Sequence, residues 1–235
     1  MRLTKMHCNE SDGRRNHQTP QFQQPRTDGE LLADTLLRII GGDDASRENA
    51  REGIQSEEDN DDRNRQDAAT LEQFAKSQGV WIDNADEYLK NLYGQHFAQG
   101  SESFVYRIDK QLIVKTRSFV GYDTIKQALT SIKIHNLLFP ETALKIVGLG
   151  RSFDEFTAIL VQNNIEGSFA TKEEIEQFVK ERFNAGKDES ILGGNSYKND
   201  KYLLQDLKPK NVLVRYEDGA KRFYVVDGDF YYNNN

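Results

Sequence analysis

A single cysteine, Cys8, stands among the 235 residues. No internal disulfide is possible, and a reducing compartment is expected. No apolar run reaches membrane-spanning length, and residues 1–18 lack the apolar core of a secretion signal. The chain is therefore expected in the cytoplasm, without a membrane partner. An excess of positive charge is lacking as well. A net charge of −7 disfavours nucleic acid or an anionic membrane as the main partner. There is one tryptophan, and hydrophobic residues make up 37% of the chain. That is too little for a compact globule of this full length, so part of the chain is expected to stay unfolded.

The shortage is concentrated in residues 1–67, which carry few aromatics and many Gln, Asn, Arg, Asp and Glu. Such a segment cannot bury enough apolar surface to offset the entropy of ordering it, and the reading is a disordered polar segment. Its basic residues Arg2, Lys5, Arg14 and Arg15 are sparse and interrupted by Glu10 and Asp12, as in a solvated tail. One island, Leu31–Ile40 followed by Gly41 and Gly42, suits a short amphipathic helix over 30–40, either isolated or docking on a partner or the folded body.

A folded domain is expected over 68–235. Thr70-Leu-Glu-Gln73 has the form of a capping box opening a short helix that stops at Gly79. Trp81 and Ile82 provide an apolar anchor, and residues 85–92 suit another short helix. From Tyr93 the pattern changes to period two, predicting two antiparallel strands joined at Asp109-Lys110, the second running from Leu112 to Lys115. Residues 123–138 read as a helix with Ile125, Leu129 and Ile132 on one face. Strands follow over 145–149 and 156–161, then a helix from the capping box Thr171–Glu174 to about Phe183. Residues 186–201 read as a loop rich in Gly, Asn and Ser. His135 suits a structural hydrogen-bonding role.

Chemistry concentrates near the C-terminal end. Leu203-Leu-Gln-Asp206-Leu-Lys208-Pro-Lys-Asn211 enters apolar, turns through a polar loop and leaves as a β-rich run. A second apolar run, Phe223-Tyr-Val-Val226, ends in Asp227-Gly228-Asp229-Phe230, and Asp218-Gly219 between the runs is a hairpin turn signal. A hairpin returns its second strand beside the start of its first, so Asp227 comes back to Asn211, with Asp206 and Lys208 just upstream. Three oxygen ligands and an ammonium would then share one end of a small sheet. That suits Mg²⁺ held between protein oxygens and substrate phosphates. The same residues would also serve a plain surface hairpin with a polar turn.

The spacing resembles the catalytic loop H-R-D-x-K-P-x-N and metal-binding D-F-G of the protein-kinase superfamily. More narrowly, Gln99–Tyr106, His135–Glu141, Leu160–Gln162, Ala170–Ile175 and Asp206–Leu213 resemble the polyvalent protein kinase domains of phage and conjugative-element proteins. The resemblance implies an α+β fold: a bilobal core with an antiparallel N-lobe sheet over about 80–162 and a reduced helical C-lobe over about 163–235. It implies a phosphotransferase using ATP and Mg²⁺ on the hydroxyl of a protein or small-molecule acceptor; a nucleotide-binding pseudokinase or interaction scaffold is the alternative.

By the same resemblance Asp206 orients or deprotonates the acceptor hydroxyl, and Lys208 neutralises the transferred phosphoryl group. Asn211 and Asp227 hold Mg²⁺, with Asp229 as a second carboxylate for it. Lys115 positions the α- and β-phosphates, the loop around Gly100, Ser101, Ser103 and Val105 covers them, and the strand end at Gln162 faces adenine. Departures are evident. Of the glycine-rich loop only Gly100 remains, and Gln205 replaces the arginine of many regulated kinases. No glutamate lies between Lys115 and Glu141, so either Asp123 or Glu102 substitutes, or Lys115 binds phosphate without a fixed partner. No activation segment follows Phe230, so the expected acceptor platform is a partner, a further segment, or none where the acceptor is small.

Overall fold

The computed structural model describes residues 29–41, 57–100, 103–191 and 194–233. Cys8, the basic residues up to Arg15, Gly42, Ser101 and Glu102 lie outside them. The described chain is a mixed α+β structure with five α-helices and three sheets among the described residues.

Helix α1 (Gly29–Ile39) is the apolar island. It is not isolated, because Ala33, Leu36 and Leu37 are buried in the same cluster as Leu129, Ile132 and Leu149, and Asp34 meets Lys133 at 2.7 Å. Helix α2 (Glu57–Ser77) starts well before the expected cap at Thr70. Thr70 sits mid-helix, its hydroxyl donating back to the Gln66 carbonyl at 2.9 Å. Helix α1 thus falls where the short helix was expected, whereas α2, running from Glu57, departs from the polar segment expected up to residue 67. The first turns of α2 are polar and carry little apolar periodicity, so composition hid them. They are held instead by tertiary bonds: Asn64 accepts from the Ile125 amide at 3.0 Å and donates to the Asp123 carbonyl at 2.8 Å.

The first sheet holds six strands in the order β1-β5-β6-β4-β3-β2. They are β1 (Trp81–Ile82), β2 (Ala98–Gln99), β3 (Phe104–Arg107), β4 (Leu112–Ser118), β5 (Lys145–Ser152) and β6 (Glu155–Asn163). All pairings are antiparallel except β1 with β5. Asp109 shapes the β3–β4 turn by accepting from the Gln111 and Leu112 amides at 2.7 and 2.8 Å. Strand β4 continues past Lys115 to Ser118, because it pairs with β6 along its full length, from Leu112↔Asn163 to Ser118↔Thr157. Helix α3 (Ala85–Tyr93), capped by Asn84, and helix α4 (Ile125–Leu138), capped by Thr124, pack on this sheet. Trp81 packs against Phe156 at a ring separation of 5.9 Å.

Helix α5 (Lys172–Phe183) opens on the expected capping box, with Thr171 and Glu174 bonding each other's backbone N–H groups. Two smaller sheets follow. One, β13-β10-β9-β8, comprises β8 (Gly186–Lys187), β9 (Tyr197–Lys198), β10 (Tyr202–Gln205) and β13 (Asp229–Tyr232). Two short strands thus stand within the expected 186–201 loop. The other, β12-β11-β7, comprises β7 (Ser168–Phe169), β11 (Val212–Glu217) and β12 (Ala220–Val225). The β11–β12 hairpin closes through Asp218 and Gly219 at φ 51° and 78°, left-handed at both central positions, as a two-residue hairpin turn requires. A second apolar cluster, including Ile134, Phe139, Phe178, Leu204 and Phe230, joins α5 and these sheets to the end of α4.

Because α1 buries Leu36 completely, Leu36→Ala should destabilise the chain by about 2–5 kcal/mol in urea unfolding. A loss below about 0.5 kcal/mol would mean that α1 is not part of the folded body.

Candidate active site

The hairpin does return Asp227 to Asn211. Val212 pairs with Val225, and the Val226 amide donates to the Asn211 carbonyl at 2.9 Å. Upstream, β10 ends at Gln205 and the chain turns at Asp206, whose φ of 55° is left-handed, a region that aspartate tolerates better than most residues. The turn is held internally. Asn211 is buried, and its Nδ2 donates to both the backbone carbonyl and Oδ2 of Asp206 at 2.8 Å. Lys208 Nζ donates to Asp206 Oδ1 at 2.6 Å. A single-turn 3₁₀ segment, Pro209–Asn211, then leads into β11.

Lys115 approaches from the first sheet. Its side chain is only 5% exposed; Nζ donates to the Val226 carbonyl at 3.0 Å and lies 3.6 Å from Asp227 Oδ1. Burial pushes its pKa below the usual lysine value, and the Asp227 carboxylate opposes that shift. Asp227 shows the converse balance. Burial alone would raise its pKa, but Lys115, Arg117 and the Gly228 amide outweigh this and bring it to about 2. It is a carboxylate at neutral pH.

A cavity of about 330 Å³ is lined by Gly100, Ser103, Lys115, Asp206, Lys208 and Asn211, and by Asp227 to Asp229. Of the residues singled out from sequence, these are brought together. Gly100 and Ser103 close the β2–β3 turn, where the Gly100 amide donates to the Ser103 carbonyl at 2.8 Å. Val105 stands opposite Lys115 in the sheet and does not line this cavity. Neither does Gln162, whose buried Nε2 donates to the carbonyls of Thr142 at 2.7 Å and Val226 at 3.2 Å. Asp123 is exposed and bonds Gln127, so it is not the partner of Lys115; that partner is Asp227 itself. With the strand lysine already facing Asp227, the lack of an acid on α4 leaves no orphaned cation.

Several site residues escaped the sequence reading. Arg117 is the main one: it follows Lys115 by two on β4, which puts both on one face of the sheet, but the strand was expected to stop at Lys115. Arg117 Nη2 donates to the Gly228 carbonyl at 3.0 Å and to Asp229 Oδ1 at 2.5 Å. Tyr122 joins it, accepting from Arg117 and donating to Asp229. Ile191, Asn195 and Ser196 also line the cavity, from within the expected loop. Asn195 secures the polar turn, its carbonyl accepting from the Leu207 amide at 3.0 Å. Only strand alternation from Lys115 could have pointed to Arg117; the contacts of the other residues are set by tertiary structure.

The donor set suits a divalent cation shared with a polyphosphate. Asn211 commits its Nδ2 to Asp206, leaving Oδ1 as an oxygen donor, and Asp227 supplies a carboxylate. Among the described residues no group of three or more His, Cys, Asp or Glu side chains could enclose a metal by itself. Mg²⁺ is usually bound through one or two carboxylates, with phosphate oxygens and waters completing its shell, and Asp227 with the Asn211 amide oxygen fits that pattern. Lys115 and Lys208 both add positive charge to the lining of the same cavity.

A family model described as "Serine/Threonine/Tyrosine Kinase found in polyvalent proteins" matches residues 64–234. This is well over half of the chain, and the protein belongs to that family. The match supports a kinase-like domain of the kind found in polyvalent proteins. No curated protein and no solved structure matches the chain with significance.

Gly228 holds the turn at φ 149°, and a Cβ there would meet Phe230 Cζ at 2.9 Å and the Gln205 carbonyl at 3.2 Å. Gly228→Ala should therefore lower stability by about 1–3 kcal/mol in urea unfolding. Gly186→Ala, where a Cβ meets nothing within 4 Å, should stay within about 0.5 kcal/mol of the unmodified chain.

Proposed function

We propose that the chain is an ATP- and Mg²⁺-dependent phosphotransferase that moves the γ-phosphoryl group to a hydroxyl of a protein or small-molecule acceptor. The observation that carries this reading is the convergence of Lys115, Asp206, Lys208, Asn211 and Asp227 on one cavity from three separate segments. A polar surface turn has no need of a buried lysine from a neighbouring sheet. In this reading the first sheet with α3 and α4 is the N-lobe of a kinase-like pair, and α5 with the two small sheets is a reduced C-lobe.

Lys115 would hold the α- and β-phosphates, with the Gly100–Ser103 turn covering them and the backbone near Gln162 meeting adenine. Asn211 and Asp227 would hold Mg²⁺, which when bound neutralises charge on the phosphate oxygens. Asp206 would accept or orient the acceptor's hydroxyl proton. Lys208, 2.6 Å from Asp206, would place its ammonium where charge develops on the transferred group. Most of the acceleration would come from positioning and charge stabilisation, since phosphoryl transfer asks little covalent chemistry of the protein.

The partners in this reading are a nucleotide and a hydroxyl acceptor; the net charge of −7 disfavours nucleic acid. No helix among the described residues is long and apolar enough to cross a membrane, and we place the activity in the cytoplasm of a cell hosting a phage or mobile element. The alternative of a nucleotide-binding scaffold draws on the acid-free helix α4, and one experiment separates the two readings. With γ-labelled ATP and Mg²⁺, Asp206→Asn should lower phosphoryl transfer by about 100-fold or more while nucleotide binding persists. Lys115→Ala and Asp227→Ala should weaken the binding itself. Turnover unchanged in Asp206→Asn would overturn its role. Nucleotide binding without turnover in the unmodified chain would establish the scaffold.

A further inference from the structure

Lys115 and Arg117 project from the same face of β4, and both side chains are at most 7% exposed. Between them they grip four consecutive residues. Lys115 takes the Val226 carbonyl at 3.0 Å and Asp227 at 3.6 Å; Arg117 takes the Gly228 carbonyl at 3.0 Å and Asp229 at 2.5 Å, with Nη1 3.8 Å from Asp227. One carboxylate oxygen of Asp229 is thereby committed. Its Oδ1 receives both the Arg117 guanidinium and the Tyr122 hydroxyl.

Tyr122 is just ahead of α4, and Ser131 lies within that helix. The Phe230 amide donates to Ser131 Oγ at 3.0 Å, and the Tyr122 hydroxyl lies 3.5 Å from the same oxygen. Thus α4, which has no acidic residue, is tied to the turn following Asp227 through a tyrosine and a serine. A carboxylate held from both sides in this way gains orientation it could not have on a free turn.

We infer that Arg117, Tyr122 and Asp229 are positioning residues forming a clamp that holds the 226–230 turn so that Asp227 faces the metal-binding space, and that Asp229 serves Arg117 rather than a metal. This rests on the reading of Asp227 as the metal ligand. Arg117 acts through its fork: a lysine of similar reach cannot bond the Gly228 carbonyl and Asp229 together. The clamp does the work that a helix carboxylate does when it fixes a strand lysine, by ordering the metal ligand itself.

The test uses the full chain and two measurements: ATP binding titrated against Mg²⁺, and amide hydrogen exchange of residues 226–230. Tyr122→Phe removes one hydroxyl and preserves the ring. It and Asp229→Asn should raise the Mg²⁺ concentration for half-maximal nucleotide binding by about 10–100-fold, with binding recovered at saturating Mg²⁺. Both should speed exchange at 226–230 by about tenfold, and Arg117→Lys should resemble them. Asp227→Ala should not recover at any Mg²⁺ concentration. Asp229→Asn as irrecoverable as Asp227→Ala would make Asp229 a metal ligand and overturn the assignment. So would Tyr122→Phe leaving both the Mg²⁺ requirement and the exchange unchanged, as a purely structural hydroxyl would. If the unmodified chain binds no ATP with Mg²⁺, the phosphotransfer reading falls. The exchange data then judge the clamp separately: acceleration confined to 226–230 upholds it, and unaltered exchange removes it.

Discussion

Two positive charges buried on one strand constrain this molecule more than any other feature. An isolated ammonium or guanidinium out of water is very costly, so Lys115 and Arg117 can be buried only where carbonyls and carboxylates meet them. The stretch Val226 to Asp229, at the end of the β11–β12 hairpin and the start of β13, supplies both kinds of group. One requirement therefore ties the first sheet to both smaller sheets. It also keeps Asp227, in the lining of the cavity, ionised, since the two cations outweigh the burial that raises its pKa.

A polar scaffold stands behind this contact. The Thr142 carbonyl accepts from His135 Nε2 at 2.9 Å and Gln162 Nε2 at 2.7 Å, and the Thr142 hydroxyl donates to the Val225 carbonyl at 2.6 Å. His135 is fully buried, and burial lowers its pKa to about 3, so it stays neutral and holds a structural bond rather than moving protons. Its ring packs on Phe139 and Phe230. The segment carrying Asp227 and Asp229 is thus supported by β4, by α4 and by the turn at Thr142. A metal ligand on such a support loses little entropy when a cation and phosphates arrive.

What could be read in advance was local. Asp218-Gly219 between two apolar runs can hardly be anything but a tight turn, and register then follows by counting back to Asn211 and Asp227. Thr171 and Glu174 mark a helix start because both halves of a capping box lie within one turn. The island at Leu31–Ile40 was visible as an apolar face, though not what it packs on. Other signals misled for equally physical reasons. Thr70-Leu-Glu-Gln73 has the letters of a capping box, but a helix already running from Glu57 leaves no free amides there to cap. Asp123 was the one acid between Lys115 and Glu141, yet it lies exposed just ahead of α4 and bonds Gln127.

By itself the sequence determined the hairpin, the polar turn around Asp206 and the set of side chains they carry, because turn geometry and strand alternation act over a few residues. Only the tertiary structure decided which cations would be buried against that turn. Strand β4 runs on to Ser118 because β6 offers it partners as far as Thr157, and those three further residues bring Arg117 to Asp229. Strand length is set by the neighbouring strand and the cost of unpaired backbone groups, not by the strand's own composition.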